Sequence, residues 1–190
     1  MDDKGIKLHL GCGKRYIPGF VHVDLADLPH IDYQHQVNKL PMFADNSASL
    51  IYASHVFEYF DCRQAIEVLA EWRRILKPAG ILRLAVPDFP ALVKIYEQTK
   101  DLNYILGPLY GRMSVKTKDK SNEIICYHKA VYDFSSLKKL LEENGFRDVC
   151  RYDWRRTIHK DFDDFSQAYF PHMDKERGLL ISLNIEAMKK

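Results

Sequence analysis

Two glycines and an aspartate are spaced as in sites that hold a nucleoside. Gly11 and Gly13 follow the apolar run from Ile6 to Leu10, and Asp24 lies in the next such run, Val21 to Leu25. A glycine lets the backbone approach a ligand because no Cβ intervenes. A carboxylate at the end of the following strand can accept hydrogen bonds from ribose hydroxyls. The pattern indicates a nucleoside-containing ligand, although a tight turn without function would look the same.

The dinucleotide-binding pattern is incomplete. No third glycine follows Gly13, because Tyr16 occupies the expected place. Asp24 comes only thirteen positions after Gly11, whereas in the dinucleotide fingerprint the acidic residue follows by about twenty. These differences argue against NAD and FAD.

Three histidines and one aspartate are the candidates for moving a proton. His55 directly follows the apolar run Leu50 to Ser54, whereas Asp88, His128 and His172 lie in or beside long connections. A histidine near neutral pH can serve as a general base. His128 and His172 could equally have only local structural roles. We predict no metal site, because the cysteines form no C-x-x-C pair and the carboxylates lack clear metal-ligand spacing.

Strands and helices alternate in the first half of the chain. Apolar residues recur at helical spacing from Ala65 to Leu76, ahead of Pro78 and Gly80. The predicted strands are residues 6–10, 21–25, 50–54 and 81–86. This alternation predicts an α/β fold with a mostly parallel sheet and helices on its faces.

The second half is less regular. Residues 91–111 have helical character that Gly107, Pro108 and Gly111 should interrupt. Residues 114–122, which are rich in lysine, read as an exposed loop. A helix is predicted from Ser135, as its N-cap, to Asn144. Strands are predicted at residues 148–154 and 179–188, the last with one covered face.

No repeat or linker divides the chain, so residues 1–190 are predicted to form a single domain. Two segments should act as lids at the carboxyl edge of the sheet, at about residues 88–134 and 155–178. The second contains Arg155, Arg156, Tyr169 and His172. Long connections of this kind often carry function. The two arginines could clamp an anionic group, or could be merely solvated.

Composition restricts the class of protein more than its partners. A hydrophobic fraction of 46% and a charged fraction of 28% are typical of a globular protein. The formal net charge of +2 gives no reason to expect a nucleic-acid partner. No apolar run could span a bilayer, and no charged-then-apolar leader follows Met1. We therefore expect a cytoplasmic protein.

The motifs resemble, in combination and in order, those of class I S-adenosylmethionine-dependent methyltransferases, in particular the type 11 branch. That branch commonly reads L-G-C-G, L-P-F-x-D-N-S-F-D, S-x-x-V-L-E-H and L-K-P-G-G. The matching segments here are Leu10 to Gly13, Pro18 to Asp24, Leu40-Pro41 with Asp45-Asn46-Ser47, Ile51 to Phe60, and Leu76 to Leu82. The resemblance covers residues 6 to about 90.

The resemblance implies a Rossmann-like three-layer sandwich with a seven-stranded, mostly parallel sheet and an antiparallel C-terminal strand. It implies S-adenosyl-L-methionine as the cofactor. Its glycine turn would pass the amino-acid part of the cofactor, its aspartate would hold the ribose, and Gln36 and Val37 would meet the adenine. The implied cofactor-binding residues are Gly11, Cys12, Gly13, Asp24, Leu25, Gln36, Val37, Ser54 and His55.

The sequence departs from the family pattern at several points. Ala48 and Ser49 replace the usual Phe-Asp, Tyr59 replaces a common His, and Ala79 replaces a common Gly. The chain begins almost directly with the first strand, so helices that cover the site in many relatives are missing. A more exposed cofactor, or a partner subunit in a homodimer, would follow.

Three functional interpretations remain open. The first is a methyltransferase acting on a small or lipid-linked saccharide or a related metabolite. The second is a methyltransferase-like binding module without turnover, for which the departures leave room. The third is a nucleic-acid methyltransferase, which Lys116, Lys118 and Lys120 would suit. The near-neutral charge and the absence of an Asn-Pro-Pro-Tyr string argue against this third interpretation.

Overall fold

The computed structural model describes residues 5–116 and 123–190. Its strands are β1 (Ile6–Leu10), β2 (Val21–Asp24), β3 (Tyr33–Gln34), β4 (Ala48–Ser54), β5 (Leu76–Pro87), β6 (Met113–Lys116), β7 (Glu123–Cys126), β8 (Phe146–Arg151), β9 (Tyr169–Phe170), β10 (Leu179–Leu180) and β11 (Ser182–Lys189). Its α-helices are α1 (Cys62–Ile75), α2 (Phe89–Thr99), α3 (Asn103–Tyr110) and α4 (Phe134–Glu143). Short 3-10 turns span Phe57–Tyr59, Trp154–Arg156 and Phe165–Gln167.

Seven strands form the main sheet, in the order β3-β2-β1-β4-β5-β11-β8. Strand β11 runs antiparallel to both β5 and β8, and the remaining neighbours are parallel. The predicted α/β class, with its mostly parallel sheet and antiparallel last strand, is therefore confirmed. Since β8 runs in the same direction as β5, the connection after it leaves from the carboxyl edge, as the sequence predicted.

One face of the sheet carries the main apolar core. Successive strand residues point to opposite faces, so Leu8 and Leu10 lie on this face while His9 lies on the other. Trp72 of α1 and Leu137 of α4 are fully buried in the same cluster as the two leucines. Helix α1 begins at a capping box, where Asp61 accepts hydrogen bonds from the backbone N–H groups of residues 63 and 64.

The opposite face is covered by irregular chain among the described residues. His9 and Tyr52 point to this side, and the ring of His159 stacks on Tyr52 with centroids 4.0 Å apart. The Tyr52 hydroxyl donates to Asp164 Oδ2 at 2.5 Å. The segment after β8 thus forms the outer layer that helices form in a regular three-layer fold.

Several predicted boundaries were wrong, for local reasons. Helix α4 is capped by Asp133 rather than Ser135, because the Asp133 carboxylate accepts from the Ser136 N–H at 2.7 Å. Gly107 and Pro108 do not interrupt α3, which runs through both. Strand β5 begins at Leu76 and passes an irregularity at Lys77–Gly80.

The predicted lysine-rich loop is in part a β-hairpin. Strands β6 and β7 pair antiparallel, with Met113 opposite Cys126 and Val115 opposite Ile124. The rest of that predicted loop, residues 117–122 with Lys118 and Lys120, lies outside the described residues. The last predicted strand is split into β10 and β11, and β11 is buried on both faces from Ser182 to Ile185. Within the described chain, no helix has both the length and the apolar character that a membrane crossing needs.

Candidate functional site

A cleft of about 350 Å³ opens at the carboxyl edge of β1, β2 and β4. Ligands of open α/β sheets bind at this edge. The lining comes from the strand ends, the turn after β4, helix α1, the β6–β7 hairpin and the residues that follow it. Its members are Gly11, Asp24, Leu25, Gln36, Val37, Asn38, His55, Val56, Tyr59, Phe60, Gln64, Met113, Val115, Ile124, Cys126 and Lys129.

Gly11 allows the chain to turn sharply after β1 with Val56 packed directly against it. Its φ is +63°, and a Cβ at this position would lie 2.2 Å from Val56 Cγ2. No side chain larger than hydrogen fits without movement of Val56. This close packing keeps the glycine backbone at the wall of the cleft.

The Asp24 carboxylate holds the glycine turn and also borders the cleft. Its Oδ2 accepts from the Gly13 N–H at 2.7 Å, and its Oδ1 accepts from the Ala26 N–H at 2.8 Å. Each carboxylate oxygen can accept more than one hydrogen bond. The carboxylate therefore keeps acceptor capacity for a ligand hydroxyl while it fixes the loop.

The wall beyond Asp24 combines apolar side chains with one amide. Leu25 and Val37 supply apolar surface, and the side chain of Gln36 is exposed beside them. Val37 is fixed from behind, because its carbonyl accepts a 2.8 Å bond from Trp72 Nε1. This wall could receive a flat aromatic ring that also carries a hydrogen-bond donor.

Three residues of the predicted cofactor set lie near the cleft without lining it. Cys12 is 3% exposed, and burial raises the pKa of its thiol to about 12. Gly13 is held by Asp24, and Ser54 is buried at the end of β4. Gly11, Asp24, Leu25, Gln36, Val37 and His55 do line it.

His55 lies at the inner end of the cleft in a left-handed conformation, with φ of 53°. Its Nε2 is 3.2 Å from Ser182 Oγ, and its Nδ1 is 3.4 Å from Glu58 Oε1. Burial, together with the nearby His128, lowers the pKa of its imidazole to about 3. His55 is therefore neutral at physiological pH, as a general base must be before it accepts a proton.

Glu58 is a buried acid that the sequence reasoning did not single out. Its side chain has no exposed surface, and its Oε1 lies 3.7 Å from His128 Nε2 as well as near His55. Burial raises the pKa of its carboxyl to about 8. The sequence did contain a sign of this residue, since Glu58 matches the glutamate of the family's V-L-E motif. A single charged residue in a sequence does not reveal that its side chain is buried.

His128 lies behind the cleft rather than in it. Its Nδ1 is 3.0 Å from the Pro108 carbonyl, and its ring packs edge-on against Tyr59. Burial lowers the pKa of its imidazole. It borders a second depression of about 290 Å³ with Leu109, Tyr110, Lys129, Ala130 and Val131.

The other predicted catalytic residues do not line the cleft. Burial raises the pKa of Asp88, even though Arg151 Nη1 lies 3.4 Å from its Oδ2. His172 is exposed after the Phe170–Pro171 bond. The structure therefore brings together His55 and His128 but neither of the other two.

The two predicted lid segments differ in what they border. The segment 88–134 reaches the cleft through the apolar side of the β6–β7 hairpin. None of residues 155–178 is among the cleft-lining residues. Arg155 stacks on Trp154 and donates to the Lys175 carbonyl, while Arg156 is largely exposed. Phe165 of this segment lies beside the cleft residue His55, with its ring centroid 5.3 Å from that of the imidazole.

The family model and several solved structures that match this chain are those of methyltransferases. A family model described as a methyltransferase domain matches residues 20–84. No curated protein matches the chain.

Solved structures with the same fold cover almost the whole chain. An S-adenosylmethionine-dependent methyltransferase from Thermotoga maritima superposes with a TM-score of 0.58 at 17% identity, covering 98% of this chain and 83% of that one. One from Methanosarcina mazei gives 0.55 at 15% identity, covering 100% and 94%. One from Archaeoglobus fulgidus gives 0.54 at 17% identity, covering 98% and 87%. At these identities the superpositions show a shared fold.

Proposed function

We propose that this chain is a class I S-adenosylmethionine-dependent methyltransferase and that it transfers a methyl group to an oxygen or nitrogen atom of a small or lipid-linked saccharide or a related metabolite. The cleft between Asp24 and His55 is the observation that carries this proposal. The walls of this one cavity contain both groups that suit the binding of a nucleoside and the neutral imidazole of His55.

The residues of the cleft fit S-adenosylmethionine in their chemistry. Asp24 retains acceptor capacity for the ribose hydroxyls, and the Gln36 amide oxygen can accept from the adenine amino group. Leu25 and Val37 offer apolar surface to the ring, and Gly11 leaves no Cβ between backbone and ligand. When bound, the cofactor supplies a methyl group on a positively charged sulfur.

The protein has two tasks in the transfer itself. Its cleft must align the attacking atom with the methyl group and exclude water, because correct positioning of the reactants supplies a large part of the rate enhancement. A hydroxyl group must lose a proton as it attacks, and a protonated amine must lose one before it can attack. His55 is proposed to accept that proton, because it is the neutral imidazole in the cleft wall.

The tautomer of His55 decides which of its nitrogen atoms accepts. Asn184 Nδ2 donates to the Ser166 carbonyl at 2.8 Å, so its Oδ1 faces Ser182. The Ser182 hydroxyl donates to that Oδ1 at 2.9 Å, and its oxygen can then only accept from His55 Nε2–H. The lone pair of His55 is therefore on Nδ1.

A small acceptor suits the surroundings of the cleft. The hairpin side chains Met113, Val115 and Ile124 close one side of it with apolar surface. Tyr110 and Tyr127 are about half exposed in the flanking segments and offer ring faces against which a sugar could pack.

A second copy of the chain is proposed to cover exposed apolar side chains on α3 and the hairpin, which light scattering of the purified protein would test.

The Asp24→Asn substitution tests the cofactor site. The amide has one acceptor oxygen and one donor nitrogen, so it cannot serve both the backbone donors and the ribose. A hydrogen bond to a charged group contributes about 1.5–3 kcal/mol, so affinity for S-adenosylmethionine should fall at least about tenfold by calorimetry. Asp27→Asn, at an exposed position nearby, is the matched control and should bind as the wild type does.

Turnover is tested with S-adenosylmethionine labelled in its methyl group. Incorporation of label into a sugar, a lipid-linked sugar or a related metabolite, together with release of S-adenosylhomocysteine, is the expected result. Unchanged affinity in a folded Asp24→Asn protein would contradict the cofactor site. Binding without any transfer would favour a module without turnover, and transfer only to nucleic acid would favour that acceptor class instead.

A further inference from the structure

Three aromatic rings, those of Tyr16, His22 and His30, lie together behind the glycine turn. Tyr16 stacks on His22 with ring centroids 5.0 Å apart. The ring of His30 lies edge-on to both, with its centroid 6.3 Å from that of Tyr16 and 5.7 Å from that of His22. None of the three residues lines the cleft. Any effect that they have on a ligand in the cleft must therefore pass through the turn.

The connection between β1 and β2, residues 11–20, contains no helix. In a dinucleotide-binding site, the third glycine allows a helix to pack closely on the sheet directly after the turn. Tyr16 occupies that place here, and the chain around it is irregular. The turn must therefore be held in place by groups other than a helix.

The two peptide groups that meet at Gly13 are each held by a side chain. The Gly13 N–H donates to Asp24 Oδ2 at 2.7 Å, and the Gly13 carbonyl oxygen lies 3.0 Å from His30 Nε2. A carbonyl oxygen can only accept a hydrogen bond, so His30 Nε2 carries a proton and donates it. A single glycine thus connects His30 to the carboxylate that is proposed to bind the ribose.

Packing does not replace these two hydrogen bonds. Gly13 has a left-handed conformation, and a Cβ at this position would meet nothing within 4 Å. The glycine is therefore free of contacts on the side where a side chain would lie. The orientation of its peptide groups depends on Asp24 and His30.

The loop that carries His30 is itself tied to β2. Asp32 Oδ2 accepts from the backbone N–H of His22 at 2.7 Å, and the Asp32 N–H donates to the His22 carbonyl at 3.0 Å. The buried His22 ring is fixed as well, because its Nε2 accepts from the Ile17 N–H at 2.9 Å. The ring of His30 thus lies against a neighbour that cannot easily move.

We propose that His30 is a positioning residue for the cofactor: its Nε2–H holds the Gly13 carbonyl, and this keeps the glycine turn and the Asp24 carboxylate in the orientation that receives the ribose. Tyr16 and His22 keep the His30 ring in place. The inference rests on the proposed function, because it takes the cleft as the site of S-adenosylmethionine. It also gives Tyr16, which departs from the dinucleotide pattern, a role in supporting the turn.

Nuclear magnetic resonance of the cofactor-free wild-type protein tests the hydrogen bond. In protein labelled with ¹⁵N at histidine, the spectrum at pH 8 should show His30 protonated on Nε2. The Gly13 amide proton should exchange slowly with solvent, since Asp24 accepts it. A His30 ring protonated only on Nδ1 would overturn the proposal.

The His30→Leu variant removes the donor and keeps an apolar side chain against the two other rings. Its affinity for S-adenosylmethionine, measured by calorimetry, should fall by about threefold to tenfold, which is the loss expected for one net hydrogen bond. Its Gly13 amide should exchange faster than in the wild type. A role in stability alone would lower the urea midpoint and leave both of these quantities unchanged in the folded protein.

The His30→Gln variant is the matched rescue. Its amide nitrogen reaches about as far as the imidazole Nε2 and can donate to the same carbonyl. Its affinity for S-adenosylmethionine should therefore lie within about twofold of the wild type, with the Gly13 amide protected. His172→Leu places the same leucine at an exposed histidine outside the cleft and should match the wild type.

Two results with the variants would overturn the proposal. The first is wild-type affinity in a folded His30→Leu protein. The second is an equal loss of affinity in the Leu and Gln variants, because ring packing and not the hydrogen bond would then hold the turn.

This proposal and the proposed function fail in different ways. If the wild type binds S-adenosylmethionine and the His30 variants bind equally well, the role of His30 fails and the function stands. If the wild type does not bind S-adenosylmethionine, the proposed function fails. The His30 tautomer and the exchange of the Gly13 amide would still decide whether the hydrogen bond exists.

Discussion

Left-handed backbone is needed at both glycines of the turn after β1, but only one of them is packed against a side chain. Gly11 has φ of +63° and Val56 in contact, whereas a Cβ at Gly13, with φ of +52°, would meet nothing within 4 Å. A side chain in this conformation costs about 1–2 kcal/mol. The pair therefore separates the cost of conformation from the cost of overpacking.

Gly13→Ala should lower the free energy of unfolding by about 1–2 kcal/mol, from conformation alone. Gly11→Ala should lower it by about 1–3 kcal/mol more, because its Cβ must displace Val56. Urea denaturation of both variants measures the difference. Equal losses would mean that Val56 moves away freely and that the packing of Gly11 is not what fixes the cleft wall.

At the scale of elements, the β6–β7 hairpin contributes the wall that the sequence did not predict. Val115 and Ile124 border the cleft, while the neighbouring Ile125 lies on the other face of the hairpin; the two isoleucines are 40% and 47% exposed, so they differ in position rather than in exposure. The two isoleucines are adjacent in one strand and identical in type. They form a matched pair for testing whether the inward side contacts the ligand.

Ile124→Ser should weaken S-adenosylmethionine binding by about threefold to tenfold, since it removes apolar surface from the cleft at about 25 cal/mol per Å². Ile125→Ser should leave affinity unchanged. Calorimetric titration of both variants is the measurement. Similar affinities for the two would show that the cofactor does not reach the hairpin.

The sequence predicts an element well when residues close together in the chain determine it, and poorly when distant residues do. Strand β1, its glycine turn and the body of α1 depend on neighbouring residues, and they were predicted with small errors in boundary. The hairpin was missed because its lysines mark an exposed face and do not reveal the inward one. The cluster at Glu58 was missed because it joins His55 and His128, which lie far apart in the chain and meet only in the tertiary structure.

At the scale of the whole molecule, the two faces of the sheet are built from different chemistry. One face is an apolar core covered by α1 and α4. On the other face, the chain that follows β8 covers His9 and Tyr52 and contributes the buried side chains of His159 and Asp164. Since residues from Leu8 to Ala187 share the main core, we propose that residues 1–190 form one domain that unfolds in one transition.

The polar face should make stability depend on pH in acid. Burial lowers the pKa of His159 from 6.5 to about 3, with the Arg83 charge adding to the effect. The unfolded chain therefore binds a proton between these values that the folded chain does not. The contribution of His159 to the free energy of unfolding therefore falls as the pH drops below about 6.5, and for this one group the loss at pH 5.5 is about 1.4 kcal/mol.

His159→Phe should remove this share of the pH dependence. Both nitrogens of His159 lack a hydrogen-bond partner among the described residues, and a phenyl ring can keep the stacking on Tyr52. Between pH 7.5 and pH 5.5, the variant should lose about 1.4 kcal/mol less in free energy of unfolding than the wild type does. His172→Phe, at an exposed histidine, should lose as much as the wild type. Equal pH dependence in all three proteins would show that His159 is protonated in the folded state, and that the layer after β8 opens to solvent in acid.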